Sequence, residues 1–221
     1  IYLYFSSGGV IGTSCHVERY TLEGDTLTNK TTILTGIPGA IYHDGGRMAF
    51  GPDGKLYITT GDATNANNAQ KTDSLAGKIL RVNDDGSIPS DNPFDNAVWS
   101  YGHRNPQGLA WDDQGRLWST EYGRSGVSSG YDELNLIEKG KNYGWPTIEG
   151  PETKDGMEAP RLQSGSATTW APASLASYKG KLLFGGLLGE RLYIADISAN
   201  SPTLSDKLAK TYGRIRTVVV G

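Results

Sequence analysis

Cysteine occurs once in the 221 residues, as Cys15. A lone cysteine excludes an internal disulfide and a thiolate metal cluster, and it fits either redox compartment. Charge of either sign is also in short supply as an excess. Twenty-one Lys and Arg face 24 Asp and Glu, for a net charge of −3. That leaves no basic footprint for nucleic acid or for an anionic membrane surface. No apolar run approaches the roughly 20 residues needed to cross a bilayer, so no membrane insertion is expected. Sustained helical periodicity is missing too. The nearest stretch, "NNAQKTDSLAGKIL", predicts at most one short helix.

What is abundant is glycine, with 30 residues, and tyrosine, with 12. Strands favour aromatics and tight turns need glycine, so the composition points to β structure. The chain opens on "IYLYFSS" and closes on "RTVVVG", both of which read as strands. No targeting segment is visible, and both ends read as lying inside a fold. The chain is therefore expected to be part of a longer protein.

An internal repeat organises the sequence. "MAFGPDGKLYITTGD" at 48–62 recurs as "LAWDDQGRLWSTEYG" at 109–123, with a looser copy over 173–197. Each copy has an apolar strand, a polar turn closed by glycine, and a second strand. A Gly-Asp turn at 24–25 marks a further hairpin. Multi-stranded copies at this spacing predict an all-β fold of β-propeller type, with about four blades in one domain covering 1–221. A β-sandwich is the structural alternative, although it needs no repeat.

Polar clusters interrupt this pattern just before the repeat strands, where a propeller lines the mouth of its channel. His43 lies in "YHDGGR", and Asp62 closes the following hairpin in "TTGD". An aspartate bonded to one imidazole nitrogen would leave the other nitrogen free as a base. The same spacing also suits a loop histidine and a turn cap. "YGHRNPQG" sets His103, Arg104 and Asn105 at the matching place in the next copy, and "GRIR" sets Arg214 and Arg216 before the last predicted strand. Such donors suit an anionic, oxygen-rich ligand. A Gly/Ser-rich loop over 123–130 is flanked by Glu121, Asp132 and Glu133. Hard oxygen donors around such a loop favour Ca²⁺ over a transition metal, although acids of this kind are more often simply solvated.

Five segments carry a resemblance: "YHDGGRMAFGPDGKLYITTGD", "AGKILRVNDDGSIPSDNPF", "YGHRNPQGLAW", "DELNLIEKGKNYGWP" and "GRIRTVVVG". They closely resemble the soluble, PQQ-dependent aldose sugar dehydrogenases of the glucose/sorbosone dehydrogenase group. The resemblance implies a six-bladed β-propeller, of which this chain represents a part. It implies that His43 is the general base for the sugar C1 hydroxyl while hydride moves to C5 of PQQ, with Asp62 orienting it. Arg104 and Asn105 are implied as PQQ ligands near the C5 carbonyl. Arg214 and Arg216 are implied as partners of PQQ carboxylates, and Thr169 as a further cofactor contact. Calcium is implied at the carbonyls of Gly123 and Arg124, and a second, structural calcium at Glu133 and Tyr143. Trp170 or Tyr122 could wall the sugar.

Two departures stand out. Arg124 replaces the proline of the calcium-binding step, and Leu188 occupies the place of a PQQ-binding lysine, unless Arg191 substitutes for it. The resemblance further implies an aldose substrate, a dye, quinone or cytochrome as electron acceptor, and a periplasmic or secreted location. A homo-oligomer is one expectation for a chain with incomplete ends. The alternatives are a non-catalytic propeller module, a fragment inactive by itself, and a propeller lactonase. The last lacks evident carboxylate and asparagine metal ligands at the pre-strand positions.

Overall fold

The computed structural model describes residues 1–9, 12–125, 129–199 and 201–221. Four antiparallel sheets follow one another along the chain. The first has three strands, β1 (Tyr2–Ser7), β2 (Ser14–Glu23) and β3 (Thr26–Pro38). The second contains β4 (Met48–Phe50), β5 (Leu56–Thr60), β6 (Lys78–Val82) and β7 (Val98–Tyr101). The third contains β8 (Pro106–Trp111), β9 (Leu117–Glu121), β10 (Glu133–Ile137) and β11 (Leu162–Gln163). The fourth contains β12 (Pro172–Tyr178), β13 (Lys181–Gly186), β14 (Leu192–Asp196) and β15 (Thr203–Lys207). These are four consecutive blades of a β-propeller, as the repeat predicts.

The expected short helix at 67–80 is reduced to a single 3₁₀ turn, Ala66–Asn68, and the rest runs into β6. Gly77, at φ +69°, ends any helical course there and turns the chain into the strand. No helix among the described residues is long and apolar enough to cross a membrane. The closing "RTVVVG" is not a strand. It runs past β12 and β13, held by Val218 N–H to Ser174 Oγ (2.7 Å) and Ile215 N–H to the Gly186 carbonyl (3.4 Å).

The repeat is accurate at the level of single hydrogen bonds. In blade two, Gly51 N–H reaches the Lys55 carbonyl and Gly54 N–H returns to Gly51. In blade three, Asp112 pairs with Arg116 and Gly115 returns to Asp112 in the same way. Gly54 and Gly115 sit at φ +71° and +75°, the left-handed region the turn requires.

The central strands read as nearly unbroken buried runs because blades pack on both faces. Along blade two, Leu56, Ile58, Leu80 and Val82 meet blade one, while Tyr57 and Ile79 meet blade three. Period-two alternation thus sorts each strand between two inter-blade cores. Each such buried aliphatic side chain contributes about 1.5–3 kcal/mol. Blade three repeats the arrangement, with Leu117 facing blade two and Trp118 facing blade four. The inner strands β4, β8 and β12 lie side by side. The loops that enter them gather at one end of the channel.

Candidate active site

His43 adopts φ +64°, a left-handed conformation uncommon for a non-glycine residue. The surrounding loop holds it there. The Asp44 carboxylate accepts Ala40 N–H (2.8 Å) and Ser6 Oγ (2.9 Å), and its carbonyl accepts the Tyr4 hydroxyl (2.6 Å). Gly45 N–H donates to Asn105 Oδ1 (3.2 Å), which ties the loop to blade three. Behind His43, Gly61 leaves no space for a side chain. A Cβ there would sit 1.9 Å from the His43 carbonyl oxygen.

This loop brings His43 Nδ1 to 2.8 Å from Asp62 Oδ1. Asp62 also accepts Thr64 N–H on Oδ1 (2.9 Å) and the Trp145 indole N–H on Oδ2 (2.9 Å). A carboxylate only accepts, so Nδ1 carries a proton, and in the neutral imidazole Nε2 keeps its lone pair. Nε2 has no hydrogen-bond partner among the described residues, and the His43 side chain remains 18% exposed. Lys78, fully buried, braces the segment behind Asp62. Its ammonium donates to the carbonyls of Asn68, Ala69 and Ala76 at 2.6–3.0 Å, while burial pulls its pKa down to about 7.

Arg104 is buried, and its Nε and Nη1 have no partner among the described residues. Nη2 donates to Ser125 Oγ (3.2 Å), and the guanidinium lies 5.3 Å from the centroid of the Trp145 ring. Burial lowers its pKa, against the opposing charges of Asp62, Glu121, Asp132 and Glu149. A buried charged donor left unpaired is costly. Two of them on one guanidinium mark a place for an acceptor ligand. Asn105 is half committed, because its Oδ1 accepts both Gly45 N–H and Gln107 Nε2. Arg214 and Arg216 are exposed on the extended terminal segment. Their charges act on Tyr122, and that of Arg216 acts on Arg47 as well. Arg47, named by no sequence argument, thus joins the cationic group. Its pKa falls through burial first and through Arg216 second.

A neighbouring cavity of about 240 Å³ is lined by Tyr122, Gly123, Arg124, Thr169, Ala171 and Leu188, among others. Thr169 Oγ1 lies 3.0 Å from Ser129 Oγ. The Arg124 carbonyl already accepts Gly130 N–H (3.3 Å), which leaves it one lone pair. Residues 126–128 of the expected loop lie outside the described residues.

Several expectations change. His103 does not face the channel: it is fully buried, with Nδ1 bonded to Glu121 Oε2 (2.9 Å) and Nε2 to Ser100 Oγ (2.8 Å). Its ring stacks on Tyr143 at 4.7 Å. Trp170 cannot wall a sugar, because it is packed against Phe184 and Tyr193. Arg191 does not replace the missing lysine, since it is held by the Gly189 carbonyl and Asp206. The acids flanking the loop are not solvated. Glu121 binds His103 and Arg104 N–H, and Asp132 accepts three backbone N–H groups, from Gly123, Trp170 and Ala171.

Glu133 remains for a cation. It stands directly opposite Glu121 across β9 and β10, and its pKa is pushed up to about 8, first by desolvation and then by Glu121. The adjoining cavity, about 10 Å³ and lined by Glu121, Glu133, Tyr143 and Glu149 among others, has room for no more than one ion or water. The Tyr143 hydroxyl is committed to the Leu136 carbonyl and Glu138 N–H. Only its main-chain oxygen is left to offer.

The family model described as Glucose / Sorbosone dehydrogenase matches residues 1–221. The chain belongs to this family. It is 32% identical to the aldose sugar dehydrogenase YliI of Escherichia coli, covering 96% of this chain and 64% of that protein. Quinoprotein glucose dehydrogenase B of Acinetobacter calcoaceticus is 41% identical, over 63% of this chain and 34% of its own length. The PQQ-bound aldose sugar dehydrogenase of Streptomyces coelicolor superposes with a TM-score of 0.85 at 39% identity, over 97% of this chain and 64% of that one. The family member described here thus spans less than two thirds of each of these relatives.

Proposed function

We propose that this chain carries the cofactor-binding face of a PQQ- and calcium-dependent dehydrogenase that oxidises the anomeric carbon of aldoses to lactones. The observation that supports it most is the buried Arg104, with two nitrogens unpartnered among the described residues, in the same site as a histidine whose Nε2 has no partner among them either. In this reading Arg104 donates to a quinone carbonyl. Arg214, Arg216 and Arg47 offset the carboxylates of a trianionic cofactor, with the Asn105 amide nitrogen and Thr169 as further contacts. PQQ, when bound, supplies the two-electron oxidant that takes the hydrogen and its electron pair from C1.

In this reading His43 Nε2 accepts the proton of the C1 hydroxyl, and Asp62 stabilises the imidazolium that results. Calcium is held by the main-chain oxygens of Gly123 and Arg124, and a structural calcium by Glu133 and the Tyr143 carbonyl. The donors are oxygen throughout, as calcium requires. A dye, a quinone or a cytochrome reoxidises the cofactor in a periplasmic or secreted setting, and a homo-oligomer is part of the same proposal.

One observation favours a second reading, in which the chain binds without turning over. Leu188, 63% exposed, lines the cavity where a lysine is expected. Anaerobic titration with PQQ and Ca²⁺, followed by glucose, separates the two. Saturable binding and then bleaching of the quinone absorbance supports the enzyme. Binding without bleaching supports the module, and no binding by either the wild type or a Leu188→Lys variant overturns both.

A further inference from the structure

We infer that Trp145 is a positioning residue that locks Asp62 and Arg104 into one register. No sequence argument assigned it a role. Its indole Nε1–H donates to Asp62 Oδ2 (2.9 Å), on the opposite carboxylate oxygen from His43. Its ring lies under the guanidinium of Arg104 at 5.3 Å. One side chain from the β10–β11 connection therefore touches the partner of the base and the Arg104 guanidinium at once.

The backbone of Trp145 is itself fixed. Its N–H donates to the Gly102 carbonyl (2.9 Å), and its carbonyl accepts Gln70 Nε2 (2.7 Å). Gln70 is held in turn by a reciprocal pair of bonds to Asn142, at 3.0 and 2.8 Å. Gly102 is constrained as well, because a Cβ there would lie 2.2 Å from Asn142 Oδ1. Blades two and three thus meet at this side chain.

The physical consequence is orientational. Without the indole donor, Oδ2 loses an anchor and the carboxylate can rotate about its Cβ–Cγ bond. The Nδ1–H bond of His43 then loosens, and Nε2 samples more than one direction. Outer-shell partners of this kind typically matter by about 10–100-fold. The ring face is a separate contribution, since its π cloud attracts the guanidinium charge over it.

The inference rests on the proposed dehydrogenase reading for its kinetic consequence, but its geometry is testable without cofactor. In the cofactor-free chain, the Nδ1–H protons of His43 and His103 are both bonded to carboxylates and are observable by NMR at low field. Trp145→Phe removes the N–H and keeps the ring. It is expected to shift or broaden the His43 signal and to leave that of His103 unchanged. General loosening of the fold would move both. With PQQ bound, kcat is expected to fall about tenfold, while KM and cofactor affinity stay within about twofold. Trp145→Leu removes the ring too, and is expected to weaken PQQ binding about fivefold in addition.

Should Trp145→Phe not fold, Gln70→Leu releases the Trp145 carbonyl and is expected to shift the His43 signal the same way by a smaller amount. An unchanged His43 signal in a folded variant overturns the inference, whatever happens with PQQ. A shifted His43 signal in a chain that takes up no PQQ upholds the positioning role and sinks the dehydrogenase reading alone.

Discussion

Two histidine–carboxylate pairs precede inner strands of neighbouring blades, and their hydrogen bonds are nearly equal: 2.8 Å for His43–Asp62 and 2.9 Å for His103–Glu121. They differ at the other ring nitrogen. His103 Nε2 is bonded to Ser100, its ring is stacked on Tyr143, and its side chain has no exposed surface. His43 Nε2 is unpartnered among the described residues, and its backbone is held in an uncommon conformation by bonds from two other blades. A bonded carboxylate therefore does not make a histidine into a base. The two histidines differ in whether the second nitrogen is spent, and the role proposed for His43 needs it unspent.

The sharpest way to break this comparison is to substitute both histidines. His43→Gln is expected to lower kcat about a thousandfold, in line with loss of a general base, while PQQ affinity stays within a few fold. His103→Ala takes one of two partners from the buried Glu121 carboxylate, which keeps the Arg104 N–H, and is expected to cost about 2–4 kcal/mol of stability, read as a lower thermal midpoint. Its pH–rate profile should match the wild type. If His103→Ala shifts that profile and His43→Gln does not, the assignments are reversed.

Arg104→Lys tests the acceptor side of the same site. Lysine keeps the charge and loses the planar fork, so PQQ affinity is expected to fall about 10–100-fold in absorbance titrations. A lysine variant that binds as well as wild type would show that Nε and Nη1 have no ligand to meet.

The smallest effect concerns Glu133. Its native pKa is raised to about 8 from an ordinary value of 4.5, so the native state binds more protons than the unfolded chain between those values. Stability without metal is then expected to fall as pH rises from about 5 to 8, in urea melts of the calcium-free protein. Calcium should flatten this slope, because its charge would hold Glu133 as the carboxylate. Glu133→Gln should flatten it without calcium. A slope that persists with the ion bound would place calcium elsewhere.

Much of the fold was legible in the sequence because a repeat writes the same turn twice. "GPDGK" and "DDQGR" encode the same bonds through a glycine in the left-handed region, and each is followed by a strand that opens on Leu-aromatic, β5 and β9. The His43–Asp62 pair was readable because the hairpin returns the chain to the same end. His103 was misread because burial and the bonding of its second nitrogen depend on Ser100 and Tyr143, which no local pattern connects to it. Trp145 and Arg47 were missed for a related reason. Trp145 lies 83 positions from Asp62 along the chain, and Arg47 meets Arg216 only once the terminal segment has packed beside β13. The closing strand was overcalled because an apolar run specifies extension, whereas a strand also needs a partner.

The most direct test of the central assignment is a single anaerobic turnover. Wild type and His43→Gln, each loaded with PQQ and Ca²⁺, are mixed with glucose in a stopped-flow instrument while the quinone absorbance is followed. The account predicts rapid bleaching in the wild type and bleaching about a thousandfold slower in the variant, from equal amounts of bound cofactor. Equal rates in the two would contradict it, and would leave His43 as a loop histidine with a bonded aspartate.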